Sequence, residues 1–502
     1  MRCGSLSLTG SNYTRQNRRR DWTSSSHRRT RAFARSSMRR LCAVVMLAAT
    51  VGCTAAAPPP PPWPAVRNVI FVTIDTLRAD HTSVGGYPAP TTPFLERLAA
   101  RGVTFDRAYS HSATTAPSHA SMFTGLLPIQ HRVQTNGLRL ADELATLPEV
   151  LSEAGWDTAG VVAVPMIFRS SALTRGFSEF TSRTVVRRPE TYRPADATAA
   201  AAADWLRARD GDTDPFFLWM HVYDPHNPLR PPDEAIEAVS PTNERSERQR
   251  RRALREQNIQ RRPTSRTNRQ VLQYDAEIRF VDDQLERLHA VTEELGLNDD
   301  TLWVVTADHG QGLGTHRWYG HHVQLYNEQL HVPMILRFPG DWNAGHRVSE
   351  HAATHVDLAP TLLEILGLGP LAQALPLPGR SLVPLFGTTP EWDRTAVFAE
   401  RRIAIEDGRG LGNAGPKLEE GTRQALQTLT RKYMLVSHGP DEYYHLDADP
   451  YEQINLIDEA DIEARLLRDQ LMALVAALDT GGTAATVSEA DLEELRALGY
   501  VQ

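Results

Sequence analysis

One threonine hydroxyl, two aspartates and a histidine are placed in this chain so that a metal-assisted displacement at an anionic ester becomes conceivable. Asp75 closes the apolar run from Val66 to Ile74, and Asp308-His309 follows the apolar run ending at Ala307. Two carboxylates and an imidazole are sensible hard-to-borderline ligands for a divalent cation. Thr115 stands two residues ahead of Pro117. Proline suits the first turn of a helix, which puts the threonine at a helix N-terminus where free N–H groups and the dipole favour an anion. A cation on Thr115 Oγ would favour its alkoxide, because the ion stabilises the charge left by proton loss.

The elements that must hold these groups follow from hydrophobic periodicity. The run Val66–Asp75 reads as a buried central strand with the carboxylate at its C-terminal edge. Helical patterns over 94–100, 148–154, 195–209, 274–295 and 356–366 then alternate with strand patterns over 158–164, 216–222, 301–307 and 333–338. That alternation predicts an α/β sheet with helices on both faces. Ligands in such sheets bind beyond the carboxyl ends of strands, where Asp75 and Asp308 both fall. After about residue 385 the pattern changes to short strands at 395–399, 432–437 and 443–446, followed by an amphipathic helix over 460–478.

Several segments resemble the sulfatase branch of the alkaline-phosphatase superfamily, over nearly all of residues 66–502. Thr115-Ala116-Pro117-Ser118-His119-Ala120-Ser121-Met122-Phe123-Thr124-Gly125 is similar to the family's nucleophile signature C/S-x-P-S-R-A-S-x-x-T-G. Asn68 to His81 resembles its first metal-binding strand, and Phe217 to Pro228 the strand ending in P-H-x-P. Val304 to His316 resembles its D-H-G-x-x-x-G-x-H segment. Singly, an aspartate at a strand end can be a loop cap or a surface ion pair. The ordered set favours the metal reading.

The resemblance implies an alkaline-phosphatase/sulfatase-like α/β/α sandwich with a small C-terminal antiparallel subdomain. It implies one divalent metal ion (Ca, Mg, Mn or Zn) held by Asp75, Thr115, Asp308 and His309, with Thr115 as nucleophile. His226, on the P-H-x-P histidine, and His321, where many sulfatases have lysine, are the candidates for protonating the leaving group; imidazoles suit general-acid work. Arg78, Ser118 and His119 are the expected substrate contacts.

Departures from the pattern redirect the expected reaction. Threonine occupies the position that sulfatases convert from Cys or Ser to formylglycine. A formylglycine hydrate expels sulfate by collapsing its second hydroxyl to the aldehyde, and threonine has no second oxygen on that carbon. A threonyl-phosphate can instead be attacked at phosphorus by water or an acceptor alcohol. The expectation is therefore a hydrolase of phosphate or phosphonate esters, with sulfate-ester hydrolysis, envelope phosphotransfer and non-catalytic glycan binding as alternatives. Thr76 replaces the second aspartate of the usual pair, which lightens the ligand set. His119 and His321 replace permanent cations, which suits a monoanionic group better than a phosphate dianion.

The ends of the chain and its composition bound the setting. Hydrophobic content of 41% is ordinary for a globular protein with a large core. Residues 1–52 hold eleven Arg and a single acid, which against a whole-chain net of −7 leaves the remainder at about −17 and argues against a nucleic-acid partner. The cysteines are Cys3, Cys42 and Cys53, so no later residue can form a disulfide or a thiolate site. Met38-Arg39-Arg40 and the apolar 41–49 read as a signal peptide ending in the lipobox-like Thr50-Val51-Gly52-Cys53. The expected organisation is a leader over 1–53, a Pro-rich tether over 54–65, a catalytic domain over 66–385 with an Arg-rich insertion at 231–270, and a subdomain over 386–502. The expected setting is the cell envelope: periplasmic, or anchored through a lipid on Cys53 and facing the periplasm, with the outer membrane favoured. The expected partner is an anionic ester, glycan- or lipid-linked forms among them. Within the insertion, 244–269 reads as a solvated helix or loop, with a basic flap for an anionic substrate as the sharper alternative.

Overall fold

The computed structural model describes residues 62–181, 192–259, 265–374, 377–387, 392–403, 421–478 and 485–497. The expected leader, Cys53, most of the tether and part of the Arg-rich insertion lie outside the described residues. Residues 61–502 form one compact unit. It begins no later than Trp63, which is buried, donates its indole N–H to Ile365 O at 3.2 Å and meets Trp342 edge-on.

The main sheet has eight strands. In chain order they are β1 (Asn68–Ile74), β2 (Val103–Phe105), β3 (Asp157–Val162), β4 (Glu179–Phe180), β5 (Phe216–Val222), β6 (Thr301–Ala307), β7 (Met334–Arg337) and β8 (His346–Val348). Their spatial order is β8-β2-β7-β6-β1-β5-β3-β4. β1 runs parallel to both neighbours, β5 and β6, while β7 is antiparallel to β6 and to β2. Every residue of β1, β5 and β6 is buried. That is why these strands read as continuous apolar runs rather than alternating ones.

Helices cover both faces, as the sequence predicts. One face carries α1 (Pro93–Ala99), α3 (Ala195–Ala208) and the long α5 (Ser265–Glu294); the other carries α2 (Thr115–Thr124) and α6 (Leu358–Ile365). Asp282 of α5 fixes α1 by accepting from the N–H groups of Phe94 (2.7 Å) and Leu95 (2.9 Å), two of the donors a helix N-terminus leaves open. Phe123 of α2 packs on the sheet against Phe71 and Trp219, with centroids 6.3 and 4.8 Å away. α2 is thereby clamped over the middle strands.

α4 (Glu244–Glu256) lies inside the Arg-rich segment. Three of its six arginines pair within the helix: Arg248 with Glu244, Arg251 with Glu247 and Arg252 with Glu256, all four residues apart. Arg250 reaches inward to Asp275 at 3.0 Å. The described part of this segment is therefore a helix, and it keeps more arginines than carboxylates.

A second sheet joins β9 (Val397–Ile403), β10 (Gly421–Gln427), β11 (Arg431–Val436) and β12 (Glu442–His445) in antiparallel order, with α7 (Ile462–Leu478) against it. Lys432 on β11 is fully buried and pairs with Glu452 at 2.7 Å. Glu452 in turn accepts from the N–H of Asn327 at 2.6 Å, which ties this sheet to the loops beside the main sheet. No helix among the described residues is long and apolar enough to cross a membrane.

Candidate metal and nucleophile centre

β1 and β6 lie side by side, so the residues that follow them emerge together. Asp75 and Asp308-His309 are all fully buried at that edge. The backbone N–H of Thr76 donates to Asp308 Oδ1 at 3.1 Å, and that of His309 to the same oxygen at 2.8 Å. Asp308 Oδ2 is buried and makes no hydrogen bond. His309 donates from Nδ1 to Gly310 O at 3.0 Å, which leaves Nε2 as the lone-pair nitrogen facing the cluster. Gly310 is needed there because a Cβ would lie 2.3 Å from Glu328 O.

Thr115 is the first residue of α2 and is fully buried. Its Oγ1 lies 3.4 Å from His309 Nε2, which is itself 3.5 Å from Asp308 Oδ2 and 3.9 Å from Asp75 Oδ1. The ligand atoms of Asp75, Asp308 and His309 all fall within 4.8 Å of one another. Two ligands each about 2.1 Å from one ion can be at most about 4.2 Å apart, so the His309 distances are those of a coordination shell. A pair of buried carboxylates also calls for positive charge, since an unpaired buried charge is costly. The donor set fits a divalent cation on both counts. Thr76, with φ of 59°, occupies the left-handed region although it is β-branched. Its carbonyl accepts from the hydroxyl of Tyr274 at 2.7 Å, which holds that turn in place.

Over the same edge sit two further imidazoles. His226 follows β5 and His321 follows a short hairpin, and their Nε2 atoms are 3.0 Å apart. Each points Nδ1 at a backbone carbonyl, Asn227 O at 2.7 Å and Ala113 O at 3.3 Å. Both Nδ1 atoms therefore carry hydrogen, and the two Nε2 lone pairs face each other. Burial pushes His226 down to about 4, and it pushes His321 well below the usual imidazole range, with the neighbouring imidazoles adding to the effect. The His321 ring lies 4.5 Å from that of His309 and 3.6 Å from that of His322.

The structure brings Asp75, Thr115, Asp308, His309, His226 and His321 to one edge. It places the three expected substrate contacts differently. Arg78 is fully buried and bound to Asp80 at 2.8 and 2.7 Å, to Gln311 O at 3.1 Å and to Glu328 at 3.5 Å. It braces loops instead of facing the hydroxyl. Ser118 points back to Ser110 Oγ (2.9 Å) and Ser112 O (3.0 Å), where it ties the loop ahead of α2 to the helix. His119 lies beneath the nucleophile: Nδ1 donates to Thr115 O at 2.8 Å and Nε2 accepts from Thr73 Oγ1 at 3.0 Å. Burial pushes it down to about 4, so it brings no permanent charge.

Two neighbours escaped the sequence reading. Asn136 Oδ1 accepts from the N–H of Ala116 at 2.9 Å, at the mouth of α2. His221, on β5, lies with Nε2 3.8 Å from Asp75 Oδ2. The only signal for His221 was a polar residue inside an apolar strand; its partner Thr73 across the ladder is set by register, which the sequence does not show.

Comparison with known proteins bears on the family and the fold. The family described as "Sulfatase" matches residues 67–368. An ulvan-active sulfatase from Formosa agariphila is 25% identical over 426 residues, covering 80% of this chain and 79% of its own. A multifunctional alkaline phosphatase superfamily protein, PehA, from Trinickia caryophylli is 25% identical over 489 residues, covering 80% and 93%. The crystal structure of a phosphonate monoester hydrolase from Agrobacterium radiobacter superposes with a TM-score of 0.63 at 22% identity, covering 82% of this chain and 96% of that one.

Proposed function

The chain belongs to the sulfatase family of ester-bond hydrolases, and from that premise we propose that it cleaves phosphate or phosphonate esters through a covalent intermediate on Thr115. The observation that carries this reading is the position of Thr115 Oγ1. It sits at the start of a ten-residue helix and 3.4 Å from His309 Nε2, the nitrogen that also approaches the Asp75 and Asp308 carboxylates.

In the first step Thr115 Oγ attacks phosphorus as its proton passes to an Nε2 lone pair of the neutral His226–His321 pair, and the bond from phosphorus to the leaving oxygen breaks. The pair hands that proton on to the leaving oxygen, so the alcohol departs neutral. In the second step water attacks the threonyl ester at phosphorus, the Oγ–phosphorus bond breaks, and the threonine hydroxyl is restored. The positive end of the α2 dipole favours the anionic ester, with the Ala116 N–H already held by Asn136 and Pro117 lacking one. Asp75, Asp308, His309 and Thr115 would hold a divalent cation, which would supply charge neutralisation and ease proton loss from the Thr115 hydroxyl. Buried and fixed by backbone contacts, the side chains are oriented before the substrate arrives.

Sulfate-ester hydrolysis is the second reading, favoured by the sulfatase names of relatives such as the ulvan-active enzyme. Against it stands the missing second oxygen of threonine. Assays of aryl sulfate, aryl phosphate, bis-aryl phosphate and aryl phosphonate esters with Ca, Mg, Mn and Zn decide between the two, with Thr115→Ala as control. Phosphorus-ester turnover lost in the control supports the proposal; sulfate turnover lost in the control overturns it. An envelope location through a lipid on Cys53 is part of the same proposal, and incorporation of labelled palmitate abolished by Cys53→Ala tests it.

A further inference from the structure

His221 has no role in the chemistry described so far, yet it is an unsatisfied polar group beside the carboxylates. Its side chain is fully buried, and neither ring nitrogen has a hydrogen-bond partner. An imidazole buried in that state forfeits the bonds it had with water, at a cost of about 1–3 kcal/mol per unmade bond. A residue with only a packing role would be better served by an apolar ring, and Phe168 and Trp219 already surround it, with centroids 4.9 and 6.2 Å away. Its position relative to the carboxylates is informative. His221 Nε2 lies 3.8 Å from Asp75 Oδ2, while His309 Nε2 lies 3.9 Å from Asp75 Oδ1. The two imidazoles thus approach the two oxygens of one carboxylate at the same range. His221 also forms a group with Asp308 and His119, their ligand atoms all within 4.8 Å of one another, and of these His119 has both ring nitrogens engaged in hydrogen bonds.

We propose that His221 is a second nitrogen ligand of the metal centre, entering from beneath and compensating for the carboxylate that Thr76 does not provide. The donor set then contains two imidazoles and two carboxylates. Such a set favours zinc or another late first-row ion over calcium or magnesium, because imidazole suits the borderline metals and the alkaline earths prefer oxygen. This inference rests on the metal-centre reading of the site.

The test uses the purified full chain, stripped with chelator and then given Zn²⁺ alone or with excess Ca²⁺. X-ray absorption at the zinc edge counts imidazole ligands directly, and equilibrium dialysis measures affinity for wild type, His221→Ala and the smaller change His221→Asn. Two imidazoles in the shell are expected, with zinc retained against calcium. Zinc affinity should fall in both variants by more than the roughly 10–100-fold that loss of an outer-shell partner costs. Far-UV circular dichroism of the metal-free variants separates lost coordination from lost folding. Zinc bound through a single imidazole, with affinity unchanged in folded His221→Asn, overturns this inference alone. A wild-type chain that binds no divalent ion overturns the metal-centre reading with it.

Discussion

Thr115→Ser is the substitution whose outcome can be worked most closely. Serine keeps the oxygen that lies 3.4 Å from His309 Nε2 and the place at the head of α2, and it removes a single methyl. Threonine is stiff at χ1, whereas serine has three staggered wells open to it. If the pocket excludes none of them, restoring the productive rotamer costs RT ln 3, about 0.65 kcal/mol, a roughly threefold fall in kcat. The buried methyl adds about 1 kcal/mol of lost stability without touching the chemistry. Thr115→Ala, by contrast, removes the attacking atom, and the rate should fall by about 10⁴-fold or more. The assay is single-turnover hydrolysis of an aryl phosphonate, with rapid quenching and intact mass to detect the adduct on the threonine peptide. Two results refute the reasoning. A Thr115→Ala chain within about tenfold of wild type shows that Oγ is not the nucleophile. A Thr115→Ser chain slower by about 100-fold shows that the methyl, not rotamer freedom, positions the oxygen.

The other expectations divide between the site and its supports. His226→Gln and His321→Gln should each slow alkyl esters by about 10²–10⁴-fold and barely affect esters with acidic phenols, since only poor leaving groups need the proton; steady-state rates across a leaving-group series check this. Diesters and phosphonate monoesters should outpace phosphate monoesters, a comparison of kcat/KM that fails if dianionic monoesters are preferred. Burial raises both Asp224 and Glu277, and the Asp224 charge raises Glu277 further, so the folded state holds protons that the unfolded chain releases above about pH 4. That stability is present in acid and is lost as pH climbs through the raised values, so Tm should fall toward alkaline pH and Glu277→Gln should flatten the slope. His316, which burial would lower, is raised by its hydrogen bond and charge pairing with Glu328, and it adds a loss of the same sign above the ordinary histidine range; His316→Gln removes it. Lys432→Met leaves the Glu452 carboxylate buried without its cation, at a cost of about 3–5 kcal/mol in denaturant unfolding, and Lys432→Met with Glu452→Gln should recover much of it.

The sequence carries the parts of this fold that are decided locally. β1 and β6 are legible because burial on both faces forces unbroken apolar runs, and the carboxylates after them then fall at strand ends. β2 and β8, three residues each, leave no periodic trace, and β10 is missing from the pattern because its buried residues include Arg423, Gln424 and Gln427. The site divides the same way. Motif order brings out Asp75, Thr115, Asp308 and His309, but which way a side chain turns depends on distant partners. Arg78 follows Asp75 by three residues, yet Glu328 and the carbonyl of Gln311 draw it away. Ser118 sits one turn after Thr115, but the Ser110–Ser112 loop captures its hydroxyl. His221 enters the site only because β5 pairs with β1 in the register Thr73 to His221, a fact of tertiary structure.

The replacements around Thr115 make electrostatic sense together. Asp75 and Asp308 place two buried carboxylates side by side, while burial holds His119, His221, His226, His321 and His322 below the usual imidazole range. Five imidazoles that stay neutral contribute dipoles and lone pairs but no fixed charge. A dication on the carboxylates would bring the local sum near zero, and what then attracts an ester is the positive end of α2. Such a site can accept one negative charge. A second charge would lack a counterion in a medium where unpaired charge is costly, unless the imidazoles took up protons against their burial. Exchanging permanent cations for histidines therefore acts on substrate choice through charge count. The same exchange makes the bound metal, rather than any arginine or lysine among the described site residues, the group on which the Asp75–Asp308 pair depends.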